Sequence, residues 1–231
     1  MERKRSFMNT EEITAKVNNI ENKKIKGIDK LARIPEKPNP RMLNKFYQEE
    51  VTWANKQIDE VEEEVGIKCT CKKKCNYCCN QPIAVTSAEV EIIRAYITNI
   101  SIKERNILLK KVTEVCDKIT ESKIEVNLNV FRSEESIGHY LDKYFNLNIS
   151  CPMLTEEGLC NIYEIRPSVC WSYRNYGDPK MCINNYSVSS SLKYDLYEQI
   201  ILQRLLKAKK PKKNDIRLLP FAVKDLLNNK I

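Results

Sequence analysis

The chain has 231 residues, 42% of them hydrophobic and 30% charged, with a formal net charge of +8; this is a globular composition, long enough to bury a core and unlike disordered or fibrous sequences. No apolar run approaches the roughly 18–20 residues of a membrane span, and the N-terminal MERKRSFMNTEEITAK lacks the apolar stretch of a secretory signal, so the expectation is a cytoplasmic protein without a membrane segment. A single histidine, His139, excludes HExxH and Cys2His2 metal sites, and five scattered glycines exclude a P-loop or GxGxxG turn, which disfavours Rossmann-type methyltransferases.

Charge is uneven along the chain. Residues 1–40 carry a net +4 and residues 204–231 a net +7, whereas 41–203 carry −3. The positive charge belongs to the ends, notably KAKKPKK at 207–213. Such a run reads first as a solvated linker; nucleic acid is a secondary partner that this basic C-terminal segment admits.

Residues 1–40 form a polar N-terminal extension closed by IPEKPNP, whose prolines stop a helix. From 41 to 65, Phe46, Val51, Trp53, Ile58, Val61 and Val65 recur at helical spacing, with Gly66 as the C-cap. CTCKKKCNYCCN, at 69–80, then leads into QPIAV, a short extended piece. Thr86 with Glu89 and Ser101 with Glu104 are capping boxes that open two helices. On the second, Leu108, Val112, Val115, Cys116 and Ile119 share a face, which makes Cys116 a core residue rather than a ligand. SEESIGHYLDKYFN, from Ser133, predicts a helix that carries His139, to which no metal role is assigned. A second cysteine stretch spans 151–182. SLKYDLYEQIILQRLLKAKK predicts a helix with Leu192, Leu196, Ile200 and Leu205 apolar, and LPFAVKDLLNN a last short one. The expected fold is mainly α: an irregular helical domain at 41–206 around a cysteine-rich metal-binding patch with little β, then a basic linker and C-terminal helix at 207–231.

Nine of the ten cysteines lie in the two stretches: Cys69, Cys71, Cys75, Cys78 and Cys79, then Cys151, Cys160, Cys170 and Cys182. Thiolates two to four residues apart on an irregular turn converge on one ion, at metal–sulfur distances of about 2.3 Å for zinc. Without a secretory signal, such clusters point to metal rather than to disulfides. CPMLTEEGLC turns around Gly158, and Pro167 suits the first turn of a helix on which Cys170 follows one turn later. Adjacent Cys78 and Cys79 do not readily share one tetrahedral ion; two metals, a cluster with a second site, or one ligand and one packed thiol all satisfy the pair. Thiolates on a divalent ion leave negative charge that Arg166, Lys72, Lys73 or Lys74 would offset. All-cysteine ligation fits zinc and iron–sulfur clusters alike.

CKKKCNYCCNQPIAVTSAEV and CPMLTEEGLCNIYEIRPSVCWSY together resemble the YkgJ-type cysteine-cluster family of zinc- or iron-chelating proteins. The resemblance falls on Cys71, Cys75, Cys78 and Cys79, then on Cys151, Cys160, Tyr163, Arg166, Pro167 and Cys170. It implies a metal site on those seven cysteines, with Tyr163 and Arg166 around the ligands; Cys69 and Cys182 are additional to the family pattern, and as further candidates they leave open whether Cys182 completes a site. Three residues rather than two separate Cys71 from Cys75, so either Cys69 or Cys71 fits the first ligand position. The family is distantly related to flagellin lysine N-methylases. This implies an alternative function, an iron–sulfur, S-adenosylmethionine-dependent protein lysine N-methylase. Cys71-x3-Cys75-x2-Cys78 also resembles the [4Fe–4S] loop of radical S-adenosylmethionine enzymes, but the βα alternation of their barrel is missing here.

Overall fold

The structure, a computed structural model, describes residues 10–24, 38–130, 133–209 and 216–229. Gly27, most of IPEKPNP and the part of KAKKPKK beyond Lys209 lie outside the described residues. Helix α1 (Thr10–Lys24) packs on α2 (Pro40–Val65). The side chain of Asn39 starts α2 by accepting from Met42 N at 2.9 Å, with Pro40 beside it, and Gly66 stops it in a left-handed φ of +79°. Leu43, Tyr47, Val51, Ala54, Ile58, Val61 and Val65 form its buried apolar face. Phe46 and Trp53, expected on that face, are only half-buried. The seam runs i, i+4 from Leu43 through Tyr47, which puts both rings at its edge.

Helices α3 (Ser87–Asn99) and α4 (Ile102–Glu121) open on complete Thr86–Glu89 and Ser101–Glu104 capping boxes, and Ser133 caps α5 (Glu134–Phe145). All five apolar residues expected on one face of α4 are buried, Cys116 among them at 1% exposure. Two short helices, α6 (Ser168–Ser172) and α7 (Met181–Asn184), lie in the second cysteine stretch. Helices α8 (Asp195–Lys209) and α9 (Leu219–Leu227) complete the set.

Among the described residues, β structure is limited to four three-residue strands in two antiparallel pairs and one isolated bridge. Strand β1 (Ala84–Thr86), the extended piece expected at QPIAV, registers Ala84 on Leu218, and β2 (Tyr173–Asn175) pairs with β3 (Ser191–Lys193), Tyr173 facing Lys193; β4 (Ile216–Leu218) is the partner of β1. The helix expected from Ser191 therefore begins only at Asp195, because Ser191–Lys193 spends its backbone bonds on β2. This also moves the buried stripe. Tyr194, Tyr197, Ile201 and Leu205 are buried, while Leu192, Leu196 and Ile200 are half-buried. A two-residue period hands over to a 3.6-residue one at Tyr194, off the stripe of a continuous helix.

One core joins α1, α2, α3, α4, α8 and α9, and it also takes in Met153, Ile162, Ile165 and Trp171 from the second cysteine stretch. Those four side chains fasten an irregular segment to the helices. A smaller cluster gathers Val115, Ile119, Tyr140, Tyr144 and Ile149. The fold is mainly α with little β. No helix among the described residues is long and apolar enough to cross a membrane.

Candidate metal centre

The first cysteine stretch leaves α2 just past Gly66 and is tied down by polar contacts. Glu62, on the last turn of α2, accepts from Cys69 N at 3.3 Å. Thr70 donates its N–H to Asn175 O at 2.9 Å, and its hydroxyl to Asn175 O at 3.0 Å and Gly177 O at 2.8 Å. Asn175 N in turn donates to Cys71 Sγ at 3.4 Å. Strand β2 is itself clamped to α2 by Arg174, whose Nη1 meets Asp59 and Glu62 at 2.7 Å each and whose Nη2 donates to Asn55 at 2.8 Å. A turn closed by Cys75 N on Lys72 O, 2.8 Å, then leads into a 3-10 turn at Tyr77–Asn80 that carries Cys78 and Cys79.

The second stretch joins the first through its backbone: Cys151 N donates to Cys79 O at 2.8 Å. A tight hairpin brings Cys160 back beside Cys151, with Thr155 N on Leu159 O at 2.7 Å and Asn161 N on Met153 O at 2.9 Å. Its tip needs Gly158. The φ there is +74°, and a Cβ would stand 2.6 Å from the side-chain amide of Asn76. Beyond the hairpin, Tyr47 of α2 donates to Arg166 O at 2.7 Å and accepts from Trp171 Nε1 at 3.2 Å. Ser168 N, at the start of α6, donates to Glu89 Oε1 at 2.8 Å. Pro167 precedes α6 as its N-cap rather than standing inside its first turn, and Cys170 follows within the helix.

These ties bring six of the predicted cysteines, Cys75, Cys78, Cys79, Cys151, Cys160 and Cys170, around one cavity of about 110 Å³. An adjoining cleft of about 430 Å³ adds Cys69 and Cys71 and shares Cys75, Cys78 and Cys170 with it. Cys182 is buried on α7, which packs against the turn that carries Cys78. Cys116 lies in the core, and His139 is exposed beside Glu135 at 4.0 Å. The inner cavity has no carboxylate in its wall, and its cations are Lys73 and Arg166. Arg166 lies 4.4 Å from the centre of the Tyr163 ring and Lys73 5.4 Å from it. Lys73 also pairs with Glu164 at 3.7 Å, whereas the Arg166 guanidinium forms no ion pair among the described residues.

All ten cysteines are free thiols. A hydrogen bond from Cys69 lowers the pKa of Cys71 to about 6, helped by Asn175 N–H and Arg166, and correspondingly raises that of Cys69. In the same way, a bond from Cys79 lowers Cys78 and raises Cys79. Burial, then repulsion from Cys160 and Cys78, pushes Cys151 up to about 12. Burial also raises Cys170, with Cys151, Cys78 and Cys160 adding to it. Cys182 is pushed up to about 11 by burial and by Cys78, Cys71 and Cys75.

The donor set fits a thiophilic ion: soft thiols in a carboxylate-free wall, with a guanidinium at hand for the charge. Among the described residues, no three Cys, His, Asp or Glu side chains are drawn together as a ligand group. Residues 70–189, just over half of the chain, match the CxxCxxCC family, described as a putative zinc- or iron-chelating domain. The chain belongs to this family. No curated protein and no solved structure matches it. The CxxCxxCC match takes in eight of the nine clustered cysteines, all but Cys69, and so reaches both stretches, as the paired motifs implied. Glu89, Asn175, Tyr47 and Glu62 were not foreseen as supports of the site. Only Glu89 left a signal, through its capping box, and that signal spoke for α3 alone.

Proposed function

We propose that the protein is a metal chelator whose two cysteine stretches are joined through zinc or iron held by thiolates. Cys75, Cys78, Cys79, Cys151, Cys160 and Cys170 form the inner donor pool, and Cys71, with Cys69 and Cys182, extends it. The observation that carries this reading is the convergence of six thiols from segments far apart in sequence on one carboxylate-free cavity. A bound ion would supply the positive charge that lets buried thiols stay ionised. Arg166 offsets the remaining negative charge, and Tyr163 holds the guanidinium in place by stacking. Glu89 and Tyr47 hold the backbone on either side of Pro167, which sets the approach of Cys170. The methylase alternative gains no support of its own from the site.

Elemental analysis of protein purified without oxygen tests the reading, with hydrogen exchange measured before and after chelation. Zinc or iron bound at one or more ions per chain is expected, and its removal should loosen residues 69–82 and 151–182 while α2 and α4 stay protected. Protein that carries neither metal and takes up neither would sink the proposal. Unchanged exchange on complete removal would show that the metal does not join the stretches.

A further inference from the structure

We propose that the outer cleft beside the thiols is a binding site for a small organic di- or tricarboxylate, with Arg166 as its anchor. This site lies beyond the chelation proposed above and needs no metal, because every group it uses belongs to the chain.

Arg166 stands apart from the other arginines. Of those that are not exposed among the described residues, Arg94, Arg174, Arg204 and Arg217 each meet a carboxylate, and Arg105 donates to Thr98 O at 2.7 Å. Arg166 is half-buried and has no acceptor among the described residues; it rests on the Tyr163 ring, 4.4 Å from the ring centre. Its charge acts on the thiols through space, but its planar fork of N–H donors is unused. A fork fixed against a ring in this way matches the two oxygens of a carboxylate.

Three spaces meet at Arg166, and their walls decide where the ligand sits. The inner cavity, about 110 Å³, is the smallest; it is lined by thiols, and its other cation, Lys73, is taken by Glu164. A cleft of about 350 Å³ towards α2 has Glu164 in its wall and no lysine. The outer cleft, about 430 Å³, adds Lys68 and Lys72, which are exposed and form no ion pair among the described residues. Its own carboxylates, Asp59 and Glu62, are both engaged by Arg174. The cleft therefore offers a guanidinium and two ammonium groups to one visitor, which calls for two or three carboxylates on a single molecule. Its volume is that of a site for an organic ligand rather than for a lone inorganic anion, and the rings of Tyr163 and Tyr173 give a carbon skeleton apolar surface to lie on.

Isothermal titration of the full chain with succinate, before and after zinc loading, tests the proposal. Saturable binding of one succinate per chain is expected in both states. Affinity should fall about tenfold or more in Arg166→Lys, which keeps the charge and loses the fork, and severalfold in K68Q/K72Q. Succinamide, the uncharged analogue, should not bind, and inorganic phosphate should bind less tightly than succinate. No saturation up to about 10 mM succinate overturns the proposal. So does equal affinity in R166K and wild type, or phosphate bound as tightly as succinate. Binding that appears only on zinc loading and survives R166K would put the carboxylate on the metal and overturn it too. Should R166K fail to fold, K68Q/K72Q decides, since it alters only exposed positions, and unchanged affinity there overturns the site. The zinc content of the same samples reports chelation separately. A chain that takes up no zinc but binds succinate through Arg166 supports this site while chelation falls; a zinc-loaded chain that ignores succinate does the reverse.

Discussion

Glu89 is the side chain through which the fold is expected to control the metal site most directly. It is 2% exposed. One oxygen accepts from Thr86 N at 2.8 Å and from the Thr86 hydroxyl at 2.9 Å, and the other accepts from Ser168 N at 2.8 Å. The same carboxylate therefore closes the start of α3 and fixes the start of α6, two residues before Cys170. Glu89→Ala leaves one buried and one part-buried backbone N–H without this acceptor, at about 1–3 kcal/mol each. Part of this is offset because the variant no longer buries a carboxylate, a burial that raises the Glu89 pKa above the usual carboxylate range. The net destabilisation is about 2–4 kcal/mol. At roughly 2–4 °C per kcal/mol for a chain of this size, Tm falls by roughly 4–16 °C. Glu89→Gln keeps the shape and one acceptor and loses about half as much. Thermal unfolding followed by circular dichroism measures the loss, and metal titration follows its effect on the site. Ser101→Ala is the control: it removes a cap on α4, away from the cysteines, at a cost of about 1 kcal/mol, and should leave metal affinity unchanged. An E89A protein that melts within a degree of wild type would refute the bridging role. So would a loss of metal affinity in S101A as large as in E89A.

Gly158→Ala should destabilise by about 1–2 kcal/mol for the left-handed backbone alone, with a further loss from the approach to Asn76; in denaturant titrations, Asn76→Ala in the same chain should recover only that second part. Burial, with Asp195 nearby, pushes the pKa of Glu21 up to about 7 from an ordinary 4.5. Because the folded pKa lies above the unfolded one, the stability that this group contributes below pH 4.5 is lost as pH rises towards and through 7. Unfolding free energies from urea titrations at pH 5 and pH 8 should therefore differ by roughly 2–3 kcal/mol more in wild type than in Glu21→Gln, and equal differences would rule the effect out. Metal uptake has to displace protons from the buried thiols, so apparent affinity should rise with pH, steeply below the raised pKa values of Cys151 and Cys182; a flat profile in competition titrations would contradict thiolate ligation.

Local signals in the sequence determined the helices and the chemistry. The Thr86, Ser101 and Ser133 caps act within four residues, and the apolar face of α4 repeats every turn, so both are legible without a tertiary structure. The same holds for the cysteine spacing, whose chemistry lies in the thiols themselves, and for Cys116, which the helical pattern assigns to the core. Interactions between distant segments were left to the tertiary structure. Ser191–Lys193 is a strand because β2 lies beside it, and Tyr194 and Tyr197 rather than Leu192 and Leu196 face inward because that strand resets the phase of α8. The second use of Glu89 and the anchoring of Thr70 by Asn175 have the same origin. Each depends on backbone groups separated by more than seventy residues, and a hydrogen bond across such a distance leaves no periodicity in the chain that makes it.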